Sequence, residues 1–182
     1  TNTSTGSLDP DAGTATFEIV EFLRGEKKFP ELNEIKVVYF GENDPNQLFL
    51  VNGIDAGIPP ANSSQVADWT TPLPLSARGV EYVKILDSLP KKGAERLLFF
   101  QSHFEDEDPL LAQDAYDEFA RAPYSEVIAL GPQMDRMQLM EWINDSEIGP
   151  TRRRLYLTML GVCGKPEDAE QLESMLKYDF LQ

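Results

Sequence analysis

The first half of the chain alternates apolar and polar residues at the two-residue period of β-strands. In "ATFEIVEFLRG" (15–25), Phe17 and Ile19 alternate with Glu18 and Val20. This pattern predicts a strand that is covered in part on both faces and ends before Gly25. "NEIKVVYFG" (33–41) is rich in β-branched and aromatic residues and predicts a second strand.

A third strand is predicted at 47–51, after a turn at 43–46 made of turn-favouring residues. The stretch 54–74 contains many Pro, Gly, Asn and Ser residues and predicts a loop rather than a regular element. Within that loop, Trp69 is the one large aromatic residue, and we expect it to fold back onto the sheet or barrel.

The period changes after residue 75. Ser76 stands where a helix N-cap belongs, and apolar residues then recur at helical spacing until Pro90. The segment Pro90–Gly93, "PKKG", is the predicted domain boundary because two helix-breaking residues flank two lysines there.

Six short helices are predicted after this boundary, separated by Gly and Pro residues that end or begin them. Pro109, Pro150 and Pro166 each suit a first helical turn. Short helices that follow one another through tight turns are typical of stacked helical pairs. The predicted helices cover 94–104, 109–121, 125–131, 133–145, 149–164 and 165–177.

Three phrases of the second half, "LAQDAYDEFARAP", "RRRLYLTMLGVCG" and "EDAEQLESMLK", resemble a group of uncharacterised exported bacterial proteins. In that group a small β-domain precedes HEAT-like helical pairs. The first half, with "FEIVEFLRGE", "KVVYF" and "LFLV", is similar in outline to netrin-like (TIMP-like) OB barrels.

The resemblance implies an α+β protein. Residues 15–90 would form an OB/netrin-like β-barrel-like domain carrying one helix, and 91–182 an all-α HEAT-like helical-repeat domain. Residues 1–14 are polar and turn-rich, and we expect a flexible segment there. In the resembling proteins the helical part continues further, so the resemblance implies that 91–182 is truncated at its C-terminal end. It also implies an extracytoplasmic location, periplasmic or secreted.

Charge narrows the classes of partner. The chain has 16 basic and 31 acidic residues among 182, a formal net charge of −15. Such a surface repels nucleic-acid phosphates and anionic lipid, so we expect no nucleic-acid partner. No apolar run approaches the about 20 residues that cross a bilayer, and membrane insertion is not expected. The single cysteine, Cys163, excludes an internal disulfide and a cysteine-based zinc site.

The densest acidic segment, "HFEDEDPLLAQD" (103–114), is the candidate metal site. Asp106, Asp108 and Asp114 offer the carboxylate oxygens that Ca²⁺ prefers, although the EF-hand pattern is not met. The alternative interpretation is a solvated loop whose acidic residues interact with the dipole of the following helix. A metal-dependent hydrolase using 103–118 is the corresponding enzymatic hypothesis, and otherwise no cofactor is expected.

Ion pairs between helices are the other candidate use of these charges. Asp114, Glu118 and Arg121 lie on one predicted helix, and Asp114 or Glu118 is expected to bind Arg152, Arg153 or Arg154 from a neighbouring helix. We favour this structural interpretation over acid–base catalysis, which needs a cleft and separated pKa values.

No strong catalytic motif occurs in the sequence. The only histidine, His103, follows Ser102, but no nucleophile motif surrounds the two residues, and a structural role is favoured. Cys163 lies near a helix C-terminus, where the dipole disfavours a thiolate. The leading hypothesis is therefore a non-enzymatic module that binds or scaffolds an unidentified protein partner.

Overall fold

The protein is described by a computed structural model that covers residues 2–3, 13–28, 31–42, 44–55 and 67–179. Within these ranges the fold is mixed α+β, as predicted. The chain separates into two compact units, Thr1–Ser88 and Leu89–Gln182. The assignment of each unit to a known domain type stays a prediction.

Among the described residues, the first unit contains seven short strands, one α-helix and a 3-10 turn at Glu26–Lys28. The order of the strands and the α-helix is β1 (Asn2–Thr3), β2 (Thr14–Ile19), β3 (Glu34–Val38), β4 (Leu48–Leu50), β5 (Gly53–Asp55), β6 (Ala67–Trp69), β7 (Leu73–Leu75) and α1 (Ala77–Leu86). All pairings are antiparallel and form three small sheets, β1-β2-β3, β4-β7 and β5-β6. In the described part of this unit the strands do not close into a barrel.

The register of β2 and β3 builds the core of the first unit. Ala15 lies opposite Val37, and Phe17 opposite Ile35, so one face of the pair is wholly apolar. Phe49 on β4 completes the cluster and meets the Phe17 ring edge-on, with the ring centroids 5.3 Å apart.

Two sequence predictions for this unit are wrong in part. Residues 54–74 are not only loop, because they contain β6 and most of β7. Pro74 argued against a strand, yet it is tolerated because β7 is short and pairs with β4 alone, with Pro74 opposite Phe49. Asn2 and Thr3, expected to be flexible, form β1 on the free edge of β2.

The rest of segment 1–14 up to residue 12, and residues 56–66 of the predicted loop, lie outside the described residues. The prediction for Trp69 is confirmed, since it packs against the β2–β3 cluster. The prediction for Ser76 is confirmed as well. Its Oγ accepts a hydrogen bond from the Gly79 amide at 2.9 Å, which caps the first turn of α1.

The second unit is helical throughout its described part, as predicted. Its helices are α2 (Ala94–Gln101), α3 (Pro109–Arg121), α4 (Tyr124–Leu130), α5 (Arg136–Asn144), α6 (Pro150–Cys163) and α7 (Pro166–Asp179). Pro109, Pro150 and Pro166 each occupy the first position of a helix, where a missing amide costs nothing.

Three helices of the second unit form a row. The α4 helix packs against both α2 and α6, while α3 packs on α2 and α5 on α6. Two contacts show that α2 and α4 are parallel. The Gly93 amide at the start of α2 donates to the Glu126 carboxylate at 2.6 Å, and Gln101 at the end of α2 donates to the Gln133 carbonyl.

Phe17 tests the core of the first unit. We expect Phe17→Ala to lower the free energy of unfolding by about 3–5 kcal/mol, because it removes a fully buried ring that packs edge-on against Tyr39 and Phe49. The measurement is denaturant unfolding followed by Trp69 fluorescence in a Trp142→Phe background. Phe40→Ala is the matched control, since Phe40 is 84% exposed, and it should change stability by about 0.5 kcal/mol or less.

Candidate functional site

The acidic segment 103–114 forms helix caps. The Asp108 carboxylate accepts from the Leu110 amide at 3.0 Å and is the N-cap of α3. Asp106 accepts from the Asp108 amide at 2.8 Å, and Asp114 lies half-buried on α3 itself. The three predicted calcium ligands are therefore divided between two turns and a helix.

No group of three or more His, Cys, Asp or Glu side chains that could hold a metal ion occurs in the described ranges. The structure thus gives Asp106 and Asp108 a structural use, the satisfaction of free amides at the start of α3. This is the alternative that the sequence left open beside the calcium site.

His103 belongs to the turn after α2. Its Nδ1 lies 3.0 Å from the Phe99 carbonyl oxygen, and its ring lies 4.7 Å from the Phe99 ring, centroid to centroid. The neighbouring Ser102 hydroxyl donates to that same carbonyl at 2.7 Å. Ser102 and His103 both contact the end of their own helix, an arrangement that suits helix termination better than nucleophile activation.

Glu118 is an ion-pair residue, with partners that differ in part from the predicted ones. Its Oε2 accepts from Arg96 Nε on α2 at 2.8 Å, and its Oε1 lies 3.6 Å from Arg121 Nη2. The Arg96 guanidinium also lies over the Phe100 ring, 4.8 Å from its centroid. Glu118 therefore joins α3 to α2 rather than to the arginines of α6.

Of the three consecutive arginines of α6, Arg152 reaches a carboxylate. Its Nη1 donates to Glu105 Oε2 at 3.0 Å. Arg153 is half-buried and forms no ion pair with the described residues, and Arg154 is exposed. Because consecutive helical residues point in different directions, one neighbouring carboxylate can meet only one of them.

Glu105 belongs to the acidic segment, but the sequence assigned it no role of its own. It follows α2 with φ = 52°, the left-handed region that is costly for a residue with a Cβ. Its carboxylate accepts from Arg152 and from the hydroxyl of Tyr156, which is wholly buried. These two charge-assisted bonds offset the backbone cost and tie the end of α2 to α6.

An aromatic cluster surrounds the Glu105 contacts. Phe104 lies at its centre, with its ring centroid 4.7 Å from Phe119, 6.0 Å from Trp142 and 5.3 Å from Tyr156. Since Phe104 and Tyr156 are both buried, the cluster is a filled core and not an open aromatic cage. Trp142 belongs to α5, in which Leu139 and Ile143 are buried.

A buried carboxylate, that of Asp168, ties α7 to α5. It accepts from the Lys165 amide at 2.7 Å in the reciprocal half of a capping box, and it pairs with Arg136. Nearby, burial raises the pKa of the Cys163 thiol, so a reactive thiolate is disfavoured at neutral pH. Asp168 and Cys163 therefore both serve the structure.

Exposed apolar residues recur along three helices of the second unit. In α2, α4 and α6, a buried residue is followed directly by an exposed apolar one, and another buried residue comes two positions later. The three exposed residues, which we call the apolar row, are Leu98, Ile128 and Leu157, following Leu97, Val127 and Tyr156. They occupy equivalent positions on three neighbouring helices.

The burial pattern recurs at spacings of 30 and 29 residues, and the sequence analysis did not predict these spacings. Written under one another, "AERLLFFQ", "YSEVIALG" and "RRLYLTML" share only apolar character at three positions. Residue identity was too weak a signal, whereas the burial pattern makes the equivalence plain.

Comparison of the chain with family models, with curated proteins and with solved structures found no match. No helix in the described part of the chain is long and apolar enough to span a membrane.

Substitutions of Asp108 test whether its carboxylate acts as a helix cap or as a metal ligand. We expect Asp108→Ala to lower the free energy of unfolding by about 1 kcal/mol, because the first turn of α3 loses its cap, while Asp108→Ser retains most of it. Thermal melts should show this ranking with or without millimolar Ca²⁺. A Ca²⁺-dependent rise in the wild-type melting temperature that both variants abolish would instead favour a metal site.

Tyr156 makes stability depend on alkaline pH. Burial, and then the bond to Glu105, raise the pKa of its phenol above its ordinary range. Above about pH 10 the phenol ionises in the unfolded chain but stays neutral in the folded one. The contribution of Tyr156 to the free energy of unfolding is therefore fully present below about pH 10. It decreases above that pH, by up to about 1.4 kcal/mol per pH unit.

The Tyr156→Phe variant lacks this pH dependence, because phenylalanine does not ionise. The variant should be less stable at pH 7 by about 1–3 kcal/mol, because Glu105 loses a hydrogen-bond donor. The stability difference should narrow between pH 10 and 11.5 in urea titrations. A difference that stays constant over that range would contradict this account.

Proposed function

We propose that this chain is a non-enzymatic protein-interaction or scaffold module that acts outside the cytoplasm. In this proposal an OB/netrin-like β-unit precedes a HEAT-like helical-repeat unit. The observation that carries the proposal is the apolar row. Three large apolar side chains lie in contact with water at equivalent positions of adjacent helices, on a protein whose surface is otherwise acidic. Exposed apolar rows of this kind mark protein contact sites.

The arrangement of the helices supports the HEAT-like assignment. The helices α2, α4 and α6 lie side by side, while α3 packs on α2 and α5 packs on α6. Alternate helices in a row, backed by the helices between them, are typical of helical-repeat stacks. Such stacks present equivalent residues of successive repeats along one surface, which is how they bind other proteins.

The positions of the acidic residues support a binding role over a hydrolytic one. Glu105, Glu118, Glu126 and Asp168 all accept hydrogen bonds from a neighbouring helix or helix terminus. Carboxylates whose oxygens already bind donors of the fold itself are not presented to a substrate, as acid–base catalysis requires. No observation on the described residues favours the metal-dependent hydrolase.

Site-specific cross-linking tests the proposal. A photo-reactive amino acid is placed at residue 128 and, as the control, at residue 137, since Met137 is 61% exposed but lies on α5 outside the apolar row. In an extract of the source cells we expect protein adducts from position 128 that are absent from position 137. Equal yields at both positions would overturn the role of the row, and absence of adducts from position 128 would overturn the proposal.

A further inference from the structure

Residues of different charge lie beside the members of the apolar row. One helical turn before each member lies an exposed residue on the same side of its helix. These residues are Glu95 before Leu98, Ser125 before Ile128, and Arg154 before Leu157. The surface is thus negative at the α2 end, neutral at α4 and positive at the α6 end, with an apolar residue beside each position.

We propose that the partner of the apolar row is a second copy of the same chain, related by a two-fold axis that runs parallel to α4. This inference rests on the proposed function, because it names the partner of that surface. Such an axis reverses the order of the row without reversing the direction of the helices. It places Ile128 against Ile128 of the other copy and Leu98 against Leu157.

The same operation brings together the opposite charges. Glu95 of one copy faces Arg154 of the other, and symmetry repeats this pair at the opposite end of the interface. A contact with two ion pairs flanking three apolar pairs is self-complementary in both shape and sign. The alternative axis along the row would reverse the helix direction and place Glu95 and Arg154 opposite the uncharged ends of α2 and α6, so neither charge would find a partner.

Charge complementarity is what selects a second copy over another partner. The chain carries a net charge of −15, so two copies repel each other unless they meet where acidic and basic residues balance. The three exposed residues that precede the row by one turn include one acidic and one basic side chain, so they carry no excess of negative charge. A basic partner would find no excess of negative charge on this surface to recognise.

The mass of the purified full chain in solution tests the proposal, measured by sedimentation velocity at concentrations up to about 100 µM. We expect a dimer of the 20.5 kDa chain. Ile128→Asp should be a monomer, because it places two carboxylates against each other on the axis, while Met137→Asp should dimerise like the wild type. A wild-type monomer throughout, or equal behaviour of the two variants, would overturn the proposal.

A charge exchange tests the axis itself and does not depend on changing an apolar residue. Glu95→Arg and Arg154→Glu should each weaken dimerisation about tenfold or more, because each creates two like-charge contacts. The double variant should regain wild-type dimerisation, since the pairs are restored with their signs reversed. Single variants that dimerise normally, or a double variant no better than either single one, would overturn this geometry.

The outcomes separate this inference from the proposed function. Adducts from position 128 that contain only other proteins, together with a monomeric purified chain, would leave the binding function and remove self-association. A dimer that follows the charge exchange would support both. Far-ultraviolet circular dichroism of every variant confirms that the helices are intact.

Discussion

The helical unit depends on burial between helices, because its helices are too short to be stable alone. They run from 7 residues in α4 to 14 in α6 and α7, and isolated helices of this length are marginal in water. Each must therefore bury a pair of apolar positions against its neighbours. Leu97 with Phe100, Val127 with Leu130, and Tyr156 with Met159 meet this need in the row α2, α4 and α6.

Apolar burial holds the helices together but leaves their relative positions loosely specified. Polar contacts between the helices fix their relative positions. Glu126 joins the starts of α2 and α4, Glu118 joins α3 to α2, and Glu105 joins the end of α2 to α6. Each contact is partly shielded from water, so the geometry of its hydrogen bonds restricts sliding of one helix along another. Acidic residues that looked available for chemistry thus serve the architecture.

The β-unit follows a different constraint. Its strands are three to six residues long apart from the two-residue β1, and its core rests on one face of the β2–β3 pair. The two-residue period of β2 and β3 requires this face, since Ala15, Phe17, Ile35 and Val37 all point to it. Trp69 and Tyr39 then extend the apolar packing around that cluster.

Local chemistry made much of this structure predictable. The sequence alone determined the α+β class, the strand at 34–38, the cap at Ser76, the helix 109–121 and the proline-led starts of α6 and α7. In each case periodicity, capping residues and proline act within a few residues of chain. The short pairs β4–β7 and β5–β6 were missed because their partners lie far apart in sequence and Pro74 argued against a strand.

Only the tertiary structure decided which charges meet. Glu118 binds Arg96. Glu105, which has φ = 52° and no sequence motif around it, accepts hydrogen bonds from both Arg152 and Tyr156. A carboxylate on a helix can meet several arginines at similar cost, so its partner is set by helix packing rather than by spacing in the sequence. For the same reason Leu98, Ile128 and Leu157 look like ordinary core residues in the sequence. Their exposure as one row follows from how α2, α4 and α6 lie side by side.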